Sequence, residues 1–166
     1  TFLYRDFNAR NVMVRDDEPY FIDFQGGRRG PIYYDVASFV WQARARYPQW
    51  LKEKMVDSYL GALESYMPVA KEEFMARLKQ FILFRMLQVL GAYGFRGLIE
   101  HKAQFVVSIP PAMDILKGLL PGSFDEYPYL KKVLEALVAL EKFEDRSSRD
   151  GRLEVRVCSF SYKKGI

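Results

Sequence analysis

At 166 residues with 49% hydrophobic side chains, the chain is long and apolar enough to bury one good-sized core, which argues for a globular protein and against disorder. A formal charge of +4 and a pI near 9.1 suit anionic small ligands, while no Lys/Arg block is long enough to make nucleic acid an expected partner. One cysteine, Cys158, and one histidine, His101, exclude an internal disulfide framework, a cysteine-based zinc site and clustered histidine ligands. No uninterrupted apolar run approaches the roughly 18 residues of a membrane span, and no signal-peptide pattern opens the chain, so a cytoplasmic protein with no membrane partner is expected.

In chain order, residues 1–25 carry the densest chemistry. Two apolar runs, Asn11-Val12-Met13-Val14 and Tyr20-Phe21-Ile22, flank the polar cluster Asp16-Asp17-Glu18-Pro19, which predicts a β-hairpin. Asn11 then enters the first strand and Asp23 leaves the second. A carboxamide and a carboxylate therefore meet at one end of the hairpin, close to the loop that holds Asp6. Phosphoryl transfer needs such an arrangement, because its catalysis is mostly positioning and charge stabilisation. Mg²⁺ takes hard oxygen ligands, usually one or two from protein and the rest from phosphate and water. Asn11 and Asp23 can supply those oxygens, and Asp6 can accept or orient the proton of an attacking hydroxyl. The structural alternative for the same residues is that Asp6 and Asn11 cap turns and Asp23 ends a strand.

Tyr4-Arg5-Asp6, with Asn11 five residues further on, resembles the catalytic loop of protein kinases, and Asp23-Phe24-Gln25 resembles their metal-binding Asp-Phe-Gly. The wider set Arg5-Asp6-Phe7, Ile22-Asp23-Phe24-Gln25-Gly26-Gly27 and Gly30-Pro31 with Tyr34-Asp35 is closer to the aminoglycoside phosphotransferase and choline kinase-like family. Within it the chain most resembles bacterial sugar 1-kinases acting on N-acetylmuramate and N-acetylglucosamine. The resemblance covers about residues 1–120 and its motifs are specific over about 3–38. It implies Asp6 as catalytic base, Asn11 and Asp23 as Mg²⁺ ligands, and Asp35 as a structural brace beneath the loop. Tyr4 stands where many relatives carry His, a position that supports the loop together with Arg5. ATP and Mg²⁺ are the implied cofactors, and a small hydroxylated metabolite, first an amino sugar, is the implied substrate. The chain opens directly on the catalytic loop, so the resemblance makes it the C-terminal lobe of a kinase-like fold whose N-terminal, ATP-binding lobe is absent. The isolated piece is then expected to be inactive.

The segment 26–31 follows with three glycines, which permit positive φ or close backbone approach. Arg28 and Arg29 within it are candidate nucleotide-phosphate partners, or solvated arginines on a loop. A helix opens near Tyr33, and from Pro48 to Pro68 apolar residues recur at helical spacing. Residues 71–93 form the longest helical candidate, apolar around most of its circumference and hence expected in the centre of a bundle. Arg85 and Gln88 inside it need partners if buried, either an internal hydrogen-bond network or the acceptor sugar. Gly91, Gly94 and Gly97 predict a break, followed by helical segments over 102–108, 110–120 and 129–143. His101 reads as a surface histidine in preference to an acid–base group.

Residues 144–152 have the charge, Ser and Gly content of a linker, and 153–160 largely alternates apolar and polar as a strand does. Residues 153–166 resemble the start of the C-terminal domain of RNase-adaptor proteins. The expected organisation is thus a kinase-like lobe over 1–143 (catalytic hairpin 1–25, helical part 33–143), a linker, and a truncated second domain or terminal strand. The expected class is mainly α with a small β-hairpin (α+β). Leading the functional readings is ATP-dependent phosphorylation of an amino sugar. Behind it come an aminoglycoside, choline or homoserine-type kinase, and a non-catalytic kinase-like sensor module.

Overall fold

The computed structural model describes residues 1–139 and, beyond them, the short strands Arg146–Ser147 and Leu153–Glu154. The fold is mainly helical with small antiparallel strand pairs, and it divides into two units, Thr1–Val89 and Leu90–Ile166.

In the first unit, β1 (Phe2–Leu3) pairs with the later strand Arg28–Arg29, setting Phe2 opposite Arg29 and Leu3 opposite Arg28. Between them β2 (Val12–Arg15) and β3 (Glu18–Phe21) form the predicted hairpin, with Val12 opposite Phe21 and Arg15 opposite Glu18. Arg28–Arg29 is therefore β4. The turn is tighter than the polar cluster suggests: Asp16 and Asp17, at φ 52° and 62°, make it alone. Positive φ at both central positions is the type I′ pattern of two-residue hairpin turns, which Asp tolerates better than most side chains. Glu18 and Pro19 accordingly join β3. A proline fits there because both strands of a lone hairpin are edges, where its missing N–H costs no ladder bond. The pairing runs one residue further, since the Ile22 N–H donates to the Asn11 carbonyl at 3.0 Å.

Three helices complete this unit's core: α1 (Tyr34–Val40), α2 (Gln49–Glu64, entered from Pro48) and α3 (Lys71–Gly94). Val36, Ala37 and Val40 of α1, Val56, Leu60 and Leu63 of α2, and Phe74, Leu78, Ile82 and Met86 of α3 are all buried. The four-residue interval of the α3 set places them along one face. Aromatic rings join the elements: Tyr33 lies 5.0 Å from Phe74 and 5.1 Å from Phe81, and Tyr59 lies 5.9 Å from Phe74.

The expectation that α3 is buried on most sides is corrected. Phe84 and Leu87 on its other face are 56% and 41% exposed, so hydrophobic composition overstates its burial. Gly91 does not break it either; a single helical glycine costs only about 1 kcal/mol, and the helix runs on into a π-helical stretch, Phe95–Ile99. By length and composition alone Lys71–Ile99 is long enough to cross a bilayer, with a mean hydropathy of 1.3 over its most apolar window, but its Phe74–Met86 face is committed to the core.

In the second unit, α4 (Ala103–Val106) lies against the π-helical stretch, where a Cβ on Gly97 would meet Val106 Cγ2 at 2.8 Å. α5 (Ile109–Leu119) begins with Pro110 and Pro111 in its first turn, where no helical N–H is lost, and α6 (Pro128–Ala139) packs against it. Val106, Ile109, Ala112, Leu116, Leu120, Phe124 and Leu134 are buried apolar residues among those described in this unit, and Gly122 at φ 63° turns the chain between the two helices. Further on, Arg146–Ser147 (β5) and Leu153–Glu154 (β6) pair antiparallel. Apart from those four residues, the expected linker 144–152 and the segment 153–166 with its RNase-adaptor resemblance lie outside the described residues.

Candidate active site

The site is assembled from the start of the chain, the far end of the hairpin and the N-terminus of α1. Asp35, in the first turn of α1, accepts the Tyr4 N–H at 2.6 Å on Oδ2 and the Arg5 N–H at 2.9 Å on Oδ1. Both carboxylate oxygens are thereby spent on the two residues before Asp6. The loop is held from below by charge-assisted bonds, roughly twice as strong as neutral ones. Phe7 adds an apolar anchor, stacking at 4.6 Å on Phe39 of α1 and lying 6.0 Å from Phe21 of the hairpin.

Asp6 itself is exposed, and its backbone carbonyl is pinned twice, by Asn8 Nδ2 at 2.8 Å and by Asn11 Nδ2 at 2.9 Å. Asn11 is buried, in the 3-10 turn Ala9–Asn11 that leads into β2. The same Nδ2 lies 3.5 Å from Asp23 Oδ2, while Gln25 Nε2 donates to Asp23 Oδ1 at 2.6 Å. The hairpin thus brings Asn11 and Asp23 together beside the Asp6 backbone. Arg5 closes the ring from the other side, its Nη1 donating to the Gly26 carbonyl at 3.2 Å. A Cβ on Gly26 would stand 3.6 Å from that nitrogen and 3.9 Å from Asp6 Oδ2, so the Asp6 carboxylate sits against the backbone that follows Asp23.

Two members of this ring have left-handed backbones, Arg5 at φ 74° and Asp23 at φ 67°. Such a conformation costs a non-glycine residue about 1–3 kcal/mol and persists where the surroundings over-determine it, as they do here. Tyr4 completes the frame: its hydroxyl donates to the Ile22 carbonyl, at the end of the hairpin. Partial burial, then the charges of Asp23 and Asp6, hold that phenol above the usual tyrosine range, so it stays a donor.

Arg28 and Arg29 lie elsewhere in the local pattern. Their backbones pair with Leu3 and Phe2, their side chains are exposed, and among the described residues neither bonds to Asp6, Asn11 or Asp23. The neighbouring glycines serve close packing, not positive φ: a Cβ on Gly27 would sit 2.4 Å from the Phe2 ring, and one on Gly30 would sit 2.3 Å from Leu3 Cδ1. Arg85 and Gln88 form a hydrogen-bond network with each other and with Tyr34. His101 is exposed in the second unit. Sequence reasoning passes over Asn8 and Gln25 as site residues. The one available signal was an amide side chain two residues from each key aspartate, a spacing at which such side chains bond locally.

Among the described residues no three His, Cys, Asp or Glu side chains cluster as a self-sufficient metal site. The donor set nevertheless suits a hard divalent cation shared with phosphates. Asn11 is anchored through Nδ2, its Oδ1 has no hydrogen-bond partner among the described residues, and Asp23 Oδ2 lies 3.5 Å from that same Nδ2. One carboxamide oxygen and one carboxylate oxygen are the one or two protein ligands that Mg²⁺ commonly takes beside a nucleotide.

Residues 1–74, which contain this entire ring, match the phosphotransferase enzyme family. The resemblance to that family stands. Two curated relatives extend it: the chain is 27% identical over 149 residues to an N-acetylmuramate/N-acetylglucosamine kinase of Neisseria meningitidis, covering 86% of this chain and 43% of that protein. It is 24% identical over 112 residues to a protein of the same name from Pseudomonas aeruginosa, covering 66% of this chain and 33% of that one. The chain therefore spans less than half the length of either relative.

Proposed function

We propose that this chain is the C-terminal lobe of a kinase-like fold that transfers a phosphoryl group from ATP to a hydroxyl of an amino sugar of the N-acetylmuramate or N-acetylglucosamine type. The observation that carries the reading is the meeting of Asn11 and Asp23 at 3.5 Å beside the pinned carbonyl of Asp6. The family match and the names of the two relatives support the reaction class and the acceptor class respectively. In this reading Asn11 Oδ1 and Asp23 Oδ2 would hold Mg²⁺, which would supply charge neutralisation at the phosphates. Asp6 accepts the hydroxyl proton and keeps the oxygen in line with the γ-phosphate. Asp35, Arg5 and Tyr4 fix the backbone that presents it, and the exposed Arg28 and Arg29 are available to nucleotide phosphates. A reaction that draws on ATP fits the cytoplasm.

The acceptor decides between this reading and its rivals. Mg·ATP is offered to the natural full-length protein with N-acetylmuramate, N-acetylglucosamine, choline and an aminoglycoside, and new phosphate esters are followed by phosphorus NMR. An N-acetyl sugar 1-phosphate is the expected product, and Asp23→Ala abolishes it while leaving the fold intact. Product from choline or the aminoglycoside alone moves the assignment to those kinases. Nucleotide binding without product from any acceptor turns it into a sensor module.

A further inference from the structure

Three consecutive residues ahead of Asp35 are each held by the helical body of the first unit. Tyr59 of α2 donates its hydroxyl to the Ile32 carbonyl at 2.9 Å. Tyr33 is stacked on Phe81 of α3 at 5.1 Å. Tyr34 is held by Arg85 of α3, whose Nη1 donates to the Tyr34 hydroxyl at 2.8 Å and to the Gln88 side-chain carbonyl. The guanidinium also lies 5.0 Å from the centre of the Tyr34 ring, within cation–π range. The first two contacts are ones any well-packed helical lobe makes. The third is different in kind, since it commits a permanent charge to a single tyrosine.

The chemistry of Arg85 makes that commitment costly. Its Nε–H is enclosed by protein and has no hydrogen-bond partner, and an enclosed donor left unpaired carries a desolvation penalty. No carboxylate forms an ion pair with it among the described residues. A leucine or methionine would fill the same space on α3 without either penalty. Because Nε is sealed off, that atom cannot bind a substrate. The return on a half-buried charge with an enclosed Nε lies in what the guanidinium orders, and what it orders is Tyr34, the residue before Asp35. From Asp35 the path is short: its two carboxylate oxygens take the Tyr4 and Arg5 N–H groups, and Asp6 is next in the chain.

We propose that Arg85 is a positioning residue of the phosphoryl-transfer site, acting through Tyr34 and Asp35 on the loop that carries Asp6. The proposal rests on the function proposed above for the reaction, but the brace itself is independent of it. Removing the guanidinium frees Tyr34, lets the first turn of α1 shift, and loosens the grip of Asp35 on the loop. Misplacement of a reacting group by about 1 Å is enough to cost roughly 10²-fold in rate.

The test compares wild type, Arg85→Met and Arg85→Lys in the natural full-length protein, with Arg77→Met, an exposed position on the same helix, as control. Amide hydrogen exchange is measured in peptides covering residues 1–8 and 74–86, alongside kcat and KM for ATP with the acceptor that the wild type uses. In Arg85→Met, exchange over 1–8 is expected to rise about tenfold with 74–86 unchanged, as for a local opening. Its kcat is expected to fall about 10- to 100-fold with KM for ATP unchanged. Arg85→Lys, which keeps a donor and a charge, should recover part of both, and Arg77→Met should alter neither. Unchanged exchange over 1–8 in Arg85→Met overturns the proposal, and so does an equal rise in both peptides, which would mark general destabilisation. Wild-type protein that phosphorylates no acceptor overturns the reaction and not the brace, which exchange alone decides.

Discussion

Asp35 holds the backbone N–H groups of Tyr4 and Arg5, the two residues before Asp6, yet removing Asp35 and removing Asp6 have different expected signatures. Asp35→Ala leaves the part-buried N–H groups of Tyr4 and Arg5 without an acceptor, at a cost of about 1–3 kcal/mol for each such group. The loss is therefore in stability, read by urea denaturation, and Asp35→Asn should lose less because one oxygen acceptor remains. Asp6→Asn touches no such bond, because the contacts to Asp6 from Asn8 and Asn11 go to its backbone carbonyl. It should leave the unfolding midpoint nearly unchanged while lowering kcat about 10²–10⁴-fold, the usual contribution of a positioned acid–base group. An Asp6→Asn variant that melts early but turns over normally would move that residue from chemistry to structure.

Elements transmit these residue effects, and the join between α2 and the start of α1 offers a direct reading. Burial first, then the charge of Asp35 and the neighbouring Tyr33, push the Tyr59 phenol above the usual tyrosine range. Folding thus favours the protonated phenol, which donates to the Ile32 carbonyl. The stability this contributes is fully present below the ordinary tyrosine value of about 10 and is lost as pH rises through the higher value of the folded state. Tyr59→Phe should therefore cost about 0.5–1.5 kcal/mol at neutral pH, the net worth of one hydrogen bond. Above pH 10 or so its stability should fall less steeply than that of wild type. Parallel alkaline slopes in the two proteins would show that this phenol is not shifted.

For the molecule as a whole, the hairpin is the part least covered by its own unit. Phe2, Val14 and Phe24 are 66%, 70% and 61% exposed, and Met13, Tyr20 and Phe21 stand around half exposed beside them. Exposed apolar side chains gathered on one small element favour association when nothing covers them. Residues 1–166 purified alone are accordingly predicted to self-associate with rising concentration, measured by sedimentation velocity. Replacing exposed side chains by polar ones (Met13→Gln, Val14→Thr, Phe24→Gln) should return the chain toward a monomer. A wild-type chain that stays monomeric at high concentration would show that this surface is not adhesive.

The sequence by itself determined the features that depend on near neighbours. Apolar runs about a polar cluster marked the hairpin, helical spacing of apolar residues marked α2 and α6, a long apolar stretch marked α3, proline and glycine bounded α5, and spacing placed Asn11 and Asp23 at one end of the hairpin. Resemblance, not spacing, pointed to Asp35 as a brace, because its partners lie 30 and 31 residues away. Only the tertiary structure decided that Arg85 reaches Tyr34 across 51 residues, that Gly27 and Gly30 make room for Phe2 and Leu3, and that one face of α3 stays exposed. It also decided that Arg28 and Arg29 lie in a strand paired with β1. The physical reason is the same in each case. Backbone periodicity and turn chemistry act over a few residues and leave a pattern in the chain, whereas contacts between elements are set by how helices and strands pack, which no local spacing encodes.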